Sequence, residues 1–97
     1  MPITNVPPRT PLALAASATG PGVIWGGGPG AFSAEATWGG GTVTLQVQTA
    51  TGTWIAVGPD TTFTANGIAG FLLPNGSVLR ALIATATVVY AYVTPIA

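Results

Sequence analysis

Between Thr42 and Gln48 the chain alternates without a break, with Val43, Leu45 and Val47 on one side and Thr42, Thr44, Gln46 and Gln48 on the other. A two-residue period fits an extended strand with one face buried and one face wet, because successive side chains of a strand leave on opposite sides. Residues 31–38 repeat the pattern: Phe32, Ala34, Ala36 and Trp38 share one face, and Ser33, Glu35 and Thr37 share the other. The glycines from Gly39 to Gly41 separate the two runs as a turn. Further strands are predicted over residues 53–57, 61–64, 68–73, 77–84 and 88–93. Each is bounded by residues that tolerate positive φ or fix a turn dihedral: Thr51 with Gly52, Gly58 to Asp60, Asn66 with Gly67, and Pro74 to Gly76. Residues 12–19 and 23–25 predict two early strands, with a helical turn as the alternative for the alanine-rich 12–18. Many short strands with no helical period between them predict an all-β single domain, either a β-sandwich or a small barrel.

The 97 residues suffice for one domain and one core. With 48% hydrophobic residues, including three Trp, two Tyr and three Phe, the chain has enough apolar area to offset the entropy of ordering. The expected division is an extended proline-rich arm over residues 1–11, carrying Pro2, Pro7, Pro8 and Pro11, followed by the β domain over 12–97. The apolar stretch 12–16 is shorter than the apolar core of a secretory signal, and the prolines before it oppose a helix, so no signal peptide is expected. No apolar run approaches the length that spans a bilayer, and no membrane partner is expected.

Four side chains carry formal charge, Arg9, Arg80, Glu35 and Asp60, and the net charge is zero. A concentrated free monomer ordinarily relies on mixed surface charge to resist association. So neutral a surface predicts that much of it is covered, by identical copies in a dimer or trimer or by a larger partner; the alternative is a surface kept wet by Thr, Ser, Gln and Asn. Two arginines cannot supply the basic footprint of a nucleic-acid binder.

The chemistry available to the chain is narrow. It has no His, no Cys and no Lys, so no base stands ready to activate its many hydroxyls. A glycosidase would need Glu35 and Asp60 to face each other across a sugar, yet Glu35 falls on the polar face of a strand and Asp60 in a turn. The glycine-rich stretch 20–30 lacks the lysine and the helix of a phosphate loop, and Asp60 with Asn66 or Asn75 offers too few oxygens for a calcium cage. The chain is therefore expected not to be an enzyme and to hold no cofactor or metal.

Trp38 shares the apolar face of its strand and is expected in the core. Trp54 falls opposite Ile55 and Val57, so it either projects outward, to anchor a protein interface or stack on a sugar, or covers the open end of the core. Arg80 lies in phase with Val78 and Leu82, where a part-buried guanidinium would seek Glu35 or backbone carbonyls. The expected interface residues are Pro7, Pro8 and Arg9 of the arm, Trp25, Gly27 and Pro29 around the glycine-rich loop, and Trp54.

Three segments, ATWGGGTVTLQVQ over 36–48, TGTWIAVG over 51–58 and FTANGIAGFLLPNGSVLRALI over 63–83, resemble small virion proteins of tailed bacteriophages, of the capsid decoration or cement type. The resemblance lies in strand-and-turn texture across about two-thirds of the chain. It implies a jelly-roll-like β-sandwich, made in the host cytoplasm, that sits on the capsid exterior as a dimer or trimer and bridges major capsid proteins. A carbohydrate- or receptor-binding tip module of a phage fibre, stacking sugars on Trp25 or Trp54, is the alternative expectation.

Overall fold

The computed structural model describes residues 10–96. Nine strands follow one another: β1 (Thr10–Ala16), β2 (Val23–Ile24), β3 (Gly28–Thr37), β4 (Thr42–Gln48), β5 (Trp54–Ala56), β6 (Thr62–Phe63), β7 (Gly67–Leu73), β8 (Val78–Ala84) and β9 (Thr87–Pro95). A single 3₁₀ turn, Pro59–Thr61, interrupts the series between β5 and β6.

The pairings are nested. β4 pairs with β5 and β6, β3 with β7, β2 with β8 and β1 with β9, all antiparallel. The chain is thus one long hairpin bent at residues 49–53. There the Thr49 amide donates to the Thr53 carbonyl at 2.7 Å, and Gly52, at φ +89°, donates to the Thr49 carbonyl at 2.9 Å. Wrapping the hairpin on itself adds the β3–β9 and β4–β8 ladders. Two sheets result, sheet A in the order β1-β9-β3-β7 and sheet B in the order β2-β8-β4-β5, with β6 also on β4. β5 and β6 are two pieces of one edge strand. Gln46 pairs with Ala56 but Thr44 pairs with Thr62, so residues 58–61 are an insertion between them. Counted this way, eight strands form two four-stranded sheets with the connectivity of a jelly roll. The fold is a single-domain β-sandwich.

The core is made by Phe32 and Ala34 of β3 and Val43 and Leu45 of β4, as their alternation predicts, together with Leu79 and Ala81 of β8, whose core face the period leaves open, and Val89, Ala91 and Val93 of β9, all buried between the sheets. Each large apolar side chain removed from water contributes about 1.5–3 kcal/mol. Phe32 stacks on Phe63 with ring centroids 5.4 Å apart. Trp38, expected in the core, stands just past β3 and is half-buried against it, its indole Nε1 donating to Asn66 Oδ1 at 2.8 Å.

β1 is a strand and not a helical turn. It buries Leu12 and Ala13 side by side, because its register against β9 slips between Pro11 and Ala13 and again before Ala16. Thr10 stands opposite Val93 and Pro11 opposite Tyr92, so the sandwich takes in the last two residues of the expected arm. The rest of that arm, residues 1–9, lies outside the described residues.

Candidate functional site

The two outer faces of the sandwich differ. On sheet A the strand alternation that buries Val89, Ala91 and Val93 turns Tyr90 and Tyr92 outward. Ser33 and Glu35 of β3 stand directly opposite Tyr92 and Tyr90, and Ile68 of β7 lies opposite Ser33 on the other side. Pro11, Tyr92, Ser33 and Ile68 therefore form one row across all four strands. Tyr90, Tyr92, Ser33, Glu35 and Ile68, with Asn66, line a shallow depression of ≈ 320 Å³. Apolar groups flank it. Ile68 is 71% exposed, Leu72 73% and Tyr90 37%, and Pro29 lies exposed opposite Leu72. An uncovered cluster of aromatic and aliphatic groups with few charges is a surface that gains free energy when water is excluded from it.

Asn66 fixes the rim of the depression. Its Oδ1 accepts from the Ala36 amide at 3.2 Å and from the Trp38 indole at 2.8 Å, tying the approach to β7 to the end of β3. Glu35 supplies the face with a carboxylate. Asp60, the other described acid, lines a separate hollow with Val57, Thr61 and Leu72, so the two carboxylates do not share a site.

Sheet B carries a different group. Trp54 projects from the outer face together with Ala56, the first of its two expected placements, but its ring is not free. Arg80 Cζ sits 4.3 Å from the ring centroid, and Arg80 Nε donates to Gln46 Oε1 at 2.7 Å. The guanidinium thus has an aromatic face and an amide oxygen as partners, an arrangement contributing about 0.5–1 kcal/mol at a part-exposed site. Glu35, considered from sequence as its partner, faces outward from the other sheet.

The remaining expected interface residues fall in different places. Trp25, expected to be accessible for stacking, is 3% exposed and belongs to the core. Its amide donates to the Ser77 carbonyl at 2.7 Å, its Nε1 donates to the Gly28 carbonyl at 3.2 Å, and its ring meets Phe71 with centroids 5.0 Å apart. The ring also lies against Gly30, where a Cβ would stand 2.6 Å from the indole edge. Gly27 has φ +91° and backs onto the Asn75 backbone, so it serves the turn geometry. Pro7, Pro8 and Arg9 lie outside the described residues. Tyr90, Tyr92, Ile68 and Leu72 were not singled out from sequence, although the alternation of residues 89–93 already separates the two tyrosines from Val89, Ala91 and Val93.

Comparison with family models, with curated proteins and with solved structures gives no match.

Proposed function

We propose that this chain is a non-enzymatic virion structural protein, a capsid decoration module that cements neighbouring major capsid proteins on the capsid exterior. The observation that carries the reading is the outer face of sheet A, where Tyr90, Ile68 and Leu72 are exposed around a shallow depression. Support also comes from the chemistry of the described residues, whose two carboxylates occupy separate hollows. The mechanism is adhesion. Apolar area on a preformed, rigid sheet is buried at a small ordering cost, and the many copies on a capsid multiply a modest single contact.

Co-sedimentation with cognate empty capsids tests the reading. Saturable binding is expected for the native chain, weakened at least about tenfold by Tyr90→Ser, as for an aromatic interface anchor. Absence of capsid binding by the folded native chain, or binding indifferent to Tyr90, contradicts it.

The depression itself favours a second reading, a glycan-binding module in which Tyr90 and Tyr92 supply ring faces and Ser33 and Glu35 supply hydrogen-bonding groups. This moves the expected sugar platform away from the buried Trp25 and the Arg80-covered Trp54. Saturable quenching of tyrosine emission by host-surface glycans, lost in Tyr92→Ser, would select it over the capsid reading.

A further inference from the structure

A sandwich has free sheet edges, and their unpaired backbone groups are templates for another strand. Three of the edges here are blunted. β1 carries Pro11, two register slips and Ala15 at φ +50°. β2 is two residues long, and the β5–β6 edge is broken by the insertion at 58–61. β7 has none of these devices within its own strand; the 3₁₀ turn Pro59–Thr61 approaches it without a backbone hydrogen bond among the described residues, leaving a hollow lined by Asp60, Thr61, Gly70 and Leu72. Its register against β3 runs unbroken through seven pairs, from Gly28 opposite Leu73 to Ala34 opposite Gly67, and its sequence, GIAGFLL, contains no charge and no proline.

The direction of its free groups can be read from β3. The Ala36 amide donates toward Asn66, at the threshold of β7, so the even-numbered backbone groups of β3 face β7. The Pro29 carbonyl accepts from Ile96 on the β9 side, which places the odd-numbered groups the other way. Gly67, Ala69, Phe71 and Leu73 therefore bond to β3, and the N–H and C=O groups of Ile68, Gly70 and Leu72 point off the edge. Among the described residues, no backbone hydrogen bond outside the ladder and no side-chain hydrogen bond reaches residues 67–73.

We infer that β7 pairs antiparallel with β7 of a second copy of this chain, about a two-fold axis through Gly70. The sequence is self-complementary in that register. On the outer face Gly70 meets its own copy and Ile68 meets Leu72; on the inner face Ala69 meets Phe71 and Gly67 meets Leu73, a small residue opposite a large one in each case. Three outward-facing pairs exchange about six hydrogen bonds, and the symmetric use of one strand by both copies closes the assembly at two. The two A sheets become one eight-stranded sheet whose outer face carries both sets of tyrosines. This inference rests on the edge of β7 and stands whether or not the capsid reading does.

Gly70→Pro tests it. The substitution removes an off-edge N–H where proline is tolerated, and a Cβ at this position meets only the Gly30 carbonyl, at 3.8 Å. Light-scattering mass of the full chain is expected to be twice 9.6 kDa and to fall to 9.6 kDa in Gly70→Pro. Ile68→Lys with Leu72→Lys, both at exposed positions, gives a second folded variant and is expected to raise the dimer dissociation constant more than tenfold. A native monomer at millimolar concentration, a native trimer, or a dimer that survives in either folded variant overturns the inference. Tyr90→Ser is expected to leave the dimer intact, which separates failure of this contact from failure of capsid binding.

Discussion

Val88 holds φ at +51°, a conformation in which a β-branched side chain crowds its own backbone. It sits where β9 carries one more residue than β3 between the Glu35–Tyr90 and Thr37–Thr87 pairs, so the bulge forces the conformation. Such a residue costs about 1–3 kcal/mol. Val88 is about half exposed, so little burial is lost when it is replaced. Val88→Asn, which tolerates this region, is expected to stabilise the fold by about 1 kcal/mol, read as a rise in Tm of about 4–8 °C. Gly41 is the opposite case. It closes the turn from Trp38, whose carbonyl accepts its amide at 2.6 Å, and it packs against the tight turn at Thr85, where φ is +69°. A Cβ on Gly41 would run into the Ala86 amide and the Ala84 carbonyl, both backbone atoms. Gly41→Ala is expected to cost more than about 2 kcal/mol, seen as a lowered midpoint in denaturant.

At the scale of elements, short polar links hold strand ends together outside the core, and Asn66, which ties the approach to β7 to the end of β3 within sheet A, accepts two of them. Asn66→Ala leaves the Trp38 indole and the Ala36 amide to water, and a loss of about 1 kcal/mol is expected. Asn66→Asp keeps the acceptor and should restore most of the thermal midpoint. Strands were legible in the sequence wherever one face is core and the other solvent: residues 42–48 match β4 end to end, and the outward placement of Trp54 is one of the two that its own alternation allows. β1 was ambiguous because its register slips put Leu12 and Ala13 in the core as neighbours, which no two-residue period describes. The burial of Trp25 was not legible. β2 is too short to show a period, and what covers the indole is Phe71 and Gly30, far away in sequence or across a turn. The outer face of sheet A was half legible, since the two tyrosines alternate with buried residues, but their juxtaposition with Ser33 and Ile68 depends on the β9-β3-β7 order, which is non-local. The nested hairpin explains that order, because wrapping it places β9 between β1 and β3.

For the molecule as a whole, the distribution of polarity matters more than its amount. On sheet B Arg80 and Trp54 cover each other beside an exposed Ile24, whereas on sheet A Tyr90, Ile68 and Leu72 stay open together along a charge-free edge strand. A jelly roll arranged in this way has one face suited to a partner and one edge suited to its own copy. The proposed capsid contact is sheet A and not sheet B. Oxidative side-chain footprinting of the chain with and without cognate empty capsids measures this directly. Protection of Tyr90 and Leu72 with Trp54 unchanged is the predicted result; protection of Trp54 with Tyr90 unchanged would contradict it.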